Sequence, residues 1–229
     1  MPRRPRLTLA GAPIHLVQRG VDRQACFFTS EDRGFYLELL AEHALETGCE
    51  VHAFALMTNH VHLLLTPRED DGPSRLMQQL GQRFVRALNR AYGRTGTLWE
   101  GRFRSTVATD EAYVLNCYRY IEMNPVRAGI VDHPRAYPWS SHRSNAEGPA
   151  LAFLVPHERY LDLGADEAVR RAAYRDLFRD ALPLEAIARI RGATNSNDTL
   201  GSDEFRDRVE AKLARNVAPL RRGRKPGPR

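Results

Sequence analysis

The stretch that most limits what this chain can fold into is Ala55-Leu56-Met57-Thr58-Asn59-His60-Val61-His62-Leu63-Leu64-Leu65-Thr66. Val61 and the three leucines after it favour extended chain. Thr58-Asn59 can make a tight turn between a strand over residues 50–57 and another over 60–66. The two strands then form an antiparallel hairpin. Strand side chains alternate faces, so His60 and His62 share one face and Val61 takes the other. Two imidazoles on a rigid strand can form two corners of a divalent-metal site, or can simply be polar residues on a solvated face.

Further elements arrange themselves around this hairpin. Residues 14–20 read as a first strand. Ser30 can cap a helix over 31–46, with Phe35, Leu39 and Leu40 on its apolar side and Gly48 as its stop. Residues 67–73 read as a loop, and Ser74 as the cap of a helix over about 75–92 with the stripe Leu76, Leu80, Phe84 and Leu88. Residues 97–107 are a turn leading into a fourth strand. Asp110 opens a helix through Tyr113, Tyr118, Tyr120 and Ile121 that Pro125 should end, because the residue before a proline is pushed out of helical geometry. Strand, helix, strand, strand, helix, strand, helix is the order of an α+β, ferredoxin-like (RRM-like) antiparallel sheet with packed helices.

Residues 1–145 form this unit. Residues 146–217 read as a helical extension, with helices at 166–181, 184–190 and 202–213. Such an extension is either a small DNA-binding unit or an appendage packed on the main domain. Residues 218–229 read as a basic disordered tail.

The net charge is +6, and its placement says more than its size. Residues 7–74 carry four basic and ten acidic side chains, whereas Arg75 to Arg104 carry seven arginines against Glu100. The last nine residues hold Arg221, Arg222, Arg224, Lys225 and Arg229 with no acid. Basic charge concentrated in one internal segment and in the tails points to a polyanion, most simply nucleic acid. Arg83, Arg86 and Arg90 step along one side of their helix, and Trp99, Arg102 and Arg104 come after it. The aromatic could stack on an unpaired base or belong to the core, and the arginines could hold phosphates. No apolar run is long enough to cross a membrane and no signal core is present, so the chain reads as cytoplasmic. Cys26, Cys49 and Cys117 form no C-x-x-C pair and imply neither a zinc knuckle nor a disulfide framework.

Chemistry comes from a second stretch, Tyr120-Ile121-Glu122-Met123-Asn124, which puts a phenol and an amide on one helical face. Two imidazoles and an amide oxygen could hold a metal that acts as a Lewis acid on a phosphodiester. A phenol attacking phosphorus leaves a phosphotyrosine link, so the break can be reversed without ATP. Tyr36, Tyr113 and Tyr118 are rivals for this role; Tyr113 lies seven positions back on the same face, and spacing does not exclude it.

The blocks His15-Leu16-Val17-Gln18-Arg19-Gly20, Leu56 to Leu64, Gly96 to Phe103 and Arg119 to Gly129 together resemble a single-tyrosine transposase of the HUH (His-hydrophobic-His) class. The likeness is to the branch associated with repetitive extragenic palindromes, and it spans about residues 14–141. The resemblance implies a ferredoxin-like fold, His60 and His62 as ligands of Mg²⁺ or Mn²⁺, and Tyr120 as nucleophile. It also implies single-stranded hairpin (palindromic) DNA as substrate. Asn124 stands where the wider class has glutamine, the usual form in this branch, and Thr58 where the family more often has proline. Family members are monomers or homodimers that trade active-site helices, so the oligomeric state does not carry over.

Three functions are open at this level. One is a metal-dependent single-strand DNA endonuclease and strand transferase working through a 5′-phosphotyrosine. The second is a relative that grips structured nucleic acid without cutting. The third is a metal-dependent hydrolase using water, which leaves Tyr120 without a role.

Overall fold

In the computed structural model, which describes residues 8–108, 111–197 and 199–200, the hairpin lies inside a twisted sheet. The strands are Ile14–Arg19 (β1), Cys49–Met57 (β2), His60–Pro67 (β3) and Arg104–Ala108 (β4), antiparallel in the order β2-β3-β1-β4. Thr199–Leu200 (β5) adds a short parallel edge to β4. Met57 pairs with His60 across the Thr58-Asn59 turn. On the other side of β3, Val17 lies opposite His62 and Arg19 opposite His60. On β4, Arg104 lies opposite Val17. Since facing residues share a side of the sheet, this register gathers His15, Arg19, His60, His62 and Arg104 on one face.

The opposite face carries Ile14, Leu16, Val61, Leu63 and Leu65 and is covered by two helices, Ser30–Glu46 (α1) and Gly72–Ala91 (α2). Thr29, one residue earlier than the sequence reading, caps α1: it accepts from the Asp32 amide while Asp32 accepts from the Thr29 amide. Gly48 ends the helix turn in the left-handed region, at φ 64°. α2 starts at Gly72 and takes Pro73 into its first turn, where a missing N–H costs nothing, so Ser74 is inside the helix rather than its cap. Its stripe Leu76, Leu80, Phe84 and Leu88 is buried against the sheet.

The face bearing the histidines is covered by Glu111–Glu122 (α3) and by the helices after it. Ala53, Ala55 and Leu64 pack there with Tyr118, Tyr120 and Ile121. α3 ends at Glu122, as expected from Pro125, but the proline also starts a new helix. It stands in the first turn of this short element, Asn124–Arg127 (α4), separated from α3 by Met123. Then come His142–Ala146 (α5), Glu158–Leu161 (α6), Glu167–Asp176 (α7) and Leu184–Ser196 (α8). Tyr160, Tyr174, Leu182 and Ile190 from this region join the same core cluster as α3. Residues 146–197 therefore share a core with α3 on the histidine-bearing side of the sheet. The helix expected at 202–213 and the tail with Arg221, Arg222 and Arg224 lie outside the described residues. Among the described residues, no helix is long and apolar enough to cross a membrane.

Candidate active site

His60 and His62 stand side by side on β3, ring centroids 4.9 Å apart. From the neighbouring strand, His15 stacks on His62 at 5.1 Å with its Nε2 2.9 Å from Nδ1 of His62. His60 places Nδ1 2.6 Å from Oδ1 of Asn59, whose Nδ2 donates to the Arg23 carbonyl at 3.0 Å. That second bond assigns the amide: Oδ1 is the acceptor, so His60 carries its proton on Nδ1 and keeps a lone pair on Nε2. Burial holds all three imidazoles neutral. It lowers the His15 pKa to about 3, helped by Arg127. It lowers that of His60 to about 4, helped by Arg19, and that of His62 well below 6.5. Neutral imidazole is the form that ligates a metal.

Helix α3 brings Tyr120 against this group. Its ring meets His15 at 5.6 Å and His62 at 5.8 Å, edge to face in both cases. One turn on, the Nδ2 of Asn124 donates to the carbonyls of Tyr120 (3.0 Å) and Ile121 (3.3 Å), two acceptors that a helix end leaves free. Oδ1 of Asn124 remains as an acceptor. Arg127 lies over the Tyr120 ring, its guanidinium carbon 4.3 Å from the centroid, and also donates to the Tyr120 carbonyl. Burial lowers the Arg127 pKa to about 10, so it stays cationic at neutral pH. The rivals are elsewhere. Tyr36 is in the core with α1 and α2, Tyr118 is buried and accepts from the His157 amide, and Tyr113 lies under Arg189.

These side chains line one cavity of about 770 Å³. Arg19, Arg23, Arg102, Arg104, Arg127 and Arg191 line it as well, against the single acid Glu100.

The family model described as "Transposase IS200 like" matches residues 8–124, just over half of the chain. The chain belongs to the IS200-like transposase family. A Haemophilus influenzae protein named as a REP-associated tyrosine transposase is 29% identical over 136 residues, covering 53% of this chain and 75% of that protein. A solved REP-associated tyrosine transposase bound to a REP hairpin has the same fold. It superposes with a TM-score of 0.56 at 20% identity, over 69% of this chain and 93% of that one.

The structure separates this transposase's sequence-predicted site residues into two groups. His60, His62, Tyr120, Asn124, Arg102 and Arg104 line the cavity. Arg83, Arg86 and Trp99 do not. Arg83 and Arg86 are on α2, across the sheet from the cavity. Arg83 is ion-paired with Glu42 of α1, and Arg86 lies in a shallow surface groove beside Gln82 and Asn89. Trp99 is 7% exposed and its ring stacks on Phe84, so it is a core aromatic with no open face for a base. Helical spacing put the arginines on one side of α2; it could not say on which layer of the sheet α2 would lie.

His15, Arg19, Arg23, Arg127, Arg191 and Thr194 are wall residues of this transposase that the sequence reading passed over. His15 and Arg127 lie within the blocks that carried the resemblance, without a role attached. Only strand register reveals that His15 shares a face with His62 and can stack on it. Arg127, Arg191 and Thr194 lie beyond the segment the family model matches.

The donor set suits a divalent cation. His60 offers a bare Nε2, Asn124 offers Oδ1, His62 stands beside them, and the cavity gives access. The three imidazoles do not themselves converge as a three-histidine cluster. Among the described residues, the group of three or more His, Cys, Asp or Glu ligand atoms that does converge is Glu42, His43 and Glu46 on α1, where Arg83 already occupies Glu42.

Proposed function

We propose that this transposase is a metal-dependent single-strand DNA endonuclease and strand transferase, acting in the cytoplasm beside a folded palindromic hairpin. The observation that carries the reading is the Tyr120 ring lying edge-on to His15 and His62 in a cavity walled by six arginines. Tyr120 attacks the phosphorus, its phenolic proton is released, and the P–O3′ bond breaks. The 5′-phosphate is then linked to Tyr120 and the 3′ oxygen leaves as a hydroxyl. The tyrosyl ester conserves the phosphodiester bond energy, so a 3′-hydroxyl can reverse the step or complete transfer to a new end.

The arginines bring the backbone phosphates in, at a cost in affinity as salt rises. Arg127, cationic and over the nucleophile's ring, favours the negative charge that grows on the phenol oxygen. His60 and His62, with Asn124, would hold Mg²⁺ or Mn²⁺. When bound, the ion supplies Lewis-acid polarisation of the scissile phosphate. The hairpin preference rests on the likeness to the REP-associated relatives.

The test is a labelled hairpin oligonucleotide incubated with Mn²⁺ and run on a denaturing protein gel. A covalent adduct sensitive to chelator and absent in Tyr120→Phe is expected. A gel shift without adduct would point to a non-cutting binder, and cleavage surviving in Tyr120→Phe would sink the tyrosine mechanism.

A further inference from the structure

A metal-binding histidine must offer a bare nitrogen to the ion, and a neutral imidazole has one bare nitrogen only. For His62 the question of which one is decided elsewhere in the molecule. Thr194 of α8 donates its single hydroxyl proton to the Ile190 carbonyl at 2.8 Å, the back-bond available to a threonine inside a helix. Towards Nδ1 of His15, at 3.2 Å, the same oxygen can then only accept. His15 therefore carries its proton on Nδ1, and its Nε2 is an acceptor. That nitrogen lies 2.9 Å from Nδ1 of His62, so His62 must be the donor there. Its Nε2 is left bare.

His15 is 1% exposed, His62 4% and Thr194 5%, so water does not compete for these bonds. The reverse arrangement, with a proton on Nε2 of His15, would turn His62 over to the tautomer whose Nε2 is blocked.

We propose that His15 and Thr194 are positioning residues that lock His62 in the tautomer able to ligate a divalent cation. This makes α8, beyond the segment the family model matches, a functional part of the metal site. The inference rests on the reading of His60 and His62 as ligands, and it concerns what sets one of them up. Partners of this outer kind typically change metal affinity by about 10–100-fold.

Two measurements on the full chain separate the inference from the reading beneath it. The first uses the metal-free protein with ¹⁵N-labelled histidines. Long-range ¹H–¹⁵N correlation should show His15 and His62 both protonated at Nδ1. In Thr194→Val, which keeps the side-chain shape, and in His15→Phe, His62 should move to a tautomer mixture. His62 protonated at Nε2 in the unaltered chain overturns the proposal.

The second is Mn²⁺ titration by calorimetry. The unaltered chain should bind, His15→Phe about 10–100-fold more weakly. His15→Gln, whose amide can accept from His62 and donate to Thr194, should recover most of the loss. Equal affinity in the unaltered chain and His15→Phe overturns the proposal while leaving the metal reading intact. No Mn²⁺ binding in an unaltered chain with the expected tautomers overturns the metal reading instead. Thr194→Val keeps the test decisive if His15→Phe fails to fold.

Discussion

Two buried polar clusters sit on either side of the same few residues of α3, and they are built on opposite principles. Glu122, two positions after Tyr120, is fully buried. Its Oε1 accepts from Ser141 (2.6 Å) and Asn145 (2.8 Å), and its Oε2 from Tyr174 (2.7 Å) and Nδ1 of His142 (3.0 Å). A carboxylate has about four acceptor positions, and here each oxygen has two donors. Among the described residues the histidine cleft leaves acceptors unfilled, Nε2 of His60 and Oδ1 of Asn124, beside six arginines and the single acid Glu100. Among the described residues the buried Nε of Arg127, a donor, also has no hydrogen-bond partner. A saturated cluster stabilises and is chemically silent. An unsaturated one can bind something. The first pins the end of α3 to α5 and α7, and so fixes where the second finds its tyrosine.

The strongest way to break this contrast is Glu122→Ala, which leaves buried donors without an acceptor. It should lower stability by about 3–5 kcal/mol in urea unfolding. Tyr120→Phe should by comparison leave the unfolding midpoint nearly unchanged.

His60→Ala should do the opposite of Glu122→Ala. Losing a ligand should cost at least the upper end of what losing an outer partner costs, on the order of 10²-fold in Mn²⁺-dependent cleavage. Hairpin binding measured in chelator should be unaffected. A large loss of stability in His60→Ala would erase the distinction between the two clusters.

Acid gives a smaller, graded effect on the cleft. His15 titrates at about 3 when folded against 6.5 in an exposed chain. Between these values the unfolded chain binds a proton that the folded one refuses, so stability falls as pH drops below 6.5. The slope is about 1.4 kcal/mol per pH unit for this histidine, reaching about 2 kcal/mol by pH 5. In His15→Phe, denaturant melts taken between pH 7 and 5 should show a shallower slope.

The smallest effect sorts the arginines. Arg102→Ala or Arg104→Ala should weaken hairpin binding and reduce the log–log salt slope by about 1 for each phosphate the variant no longer neutralises. Arg83→Ala, on the far layer and paired with Glu42, should leave that slope unchanged. The reverse result would move the DNA to the outer face of α2.

Period-two alternation was enough to put His60 and His62 on one face, and helical periodicity was enough to find the buried stripe of α2. Those signals are local. What lay beyond them depends on which elements meet. His15 becomes visible only when Val17 is known to face His62. Arg83 shares a helical side with Arg86, yet α2 lies across the sheet from the cavity. Tyr120 could not be told from Tyr113 by spacing seven, because both share a helical face; the difference is that one lies over the histidines and the other under Arg189. Trp99 was ambiguous because an aromatic suits a base and a core equally. Pro73 was read as loop where it opens a helix, whereas Pro125 does end α3 as expected and then stands in the first turn of the short α4.

The contact between His15 and Thr194 joins residues 179 positions apart in the chain. On the ribosome, histidines, tyrosine and asparagine are all made long before α8 exists. A nascent chain that has passed Arg127 carries the tyrosine, the ligand set and the cation over the tyrosine ring but lacks the helix that sets His62. The order of synthesis thus delays assembly of the complete site until the chain has grown past Thr194 and α8 has docked.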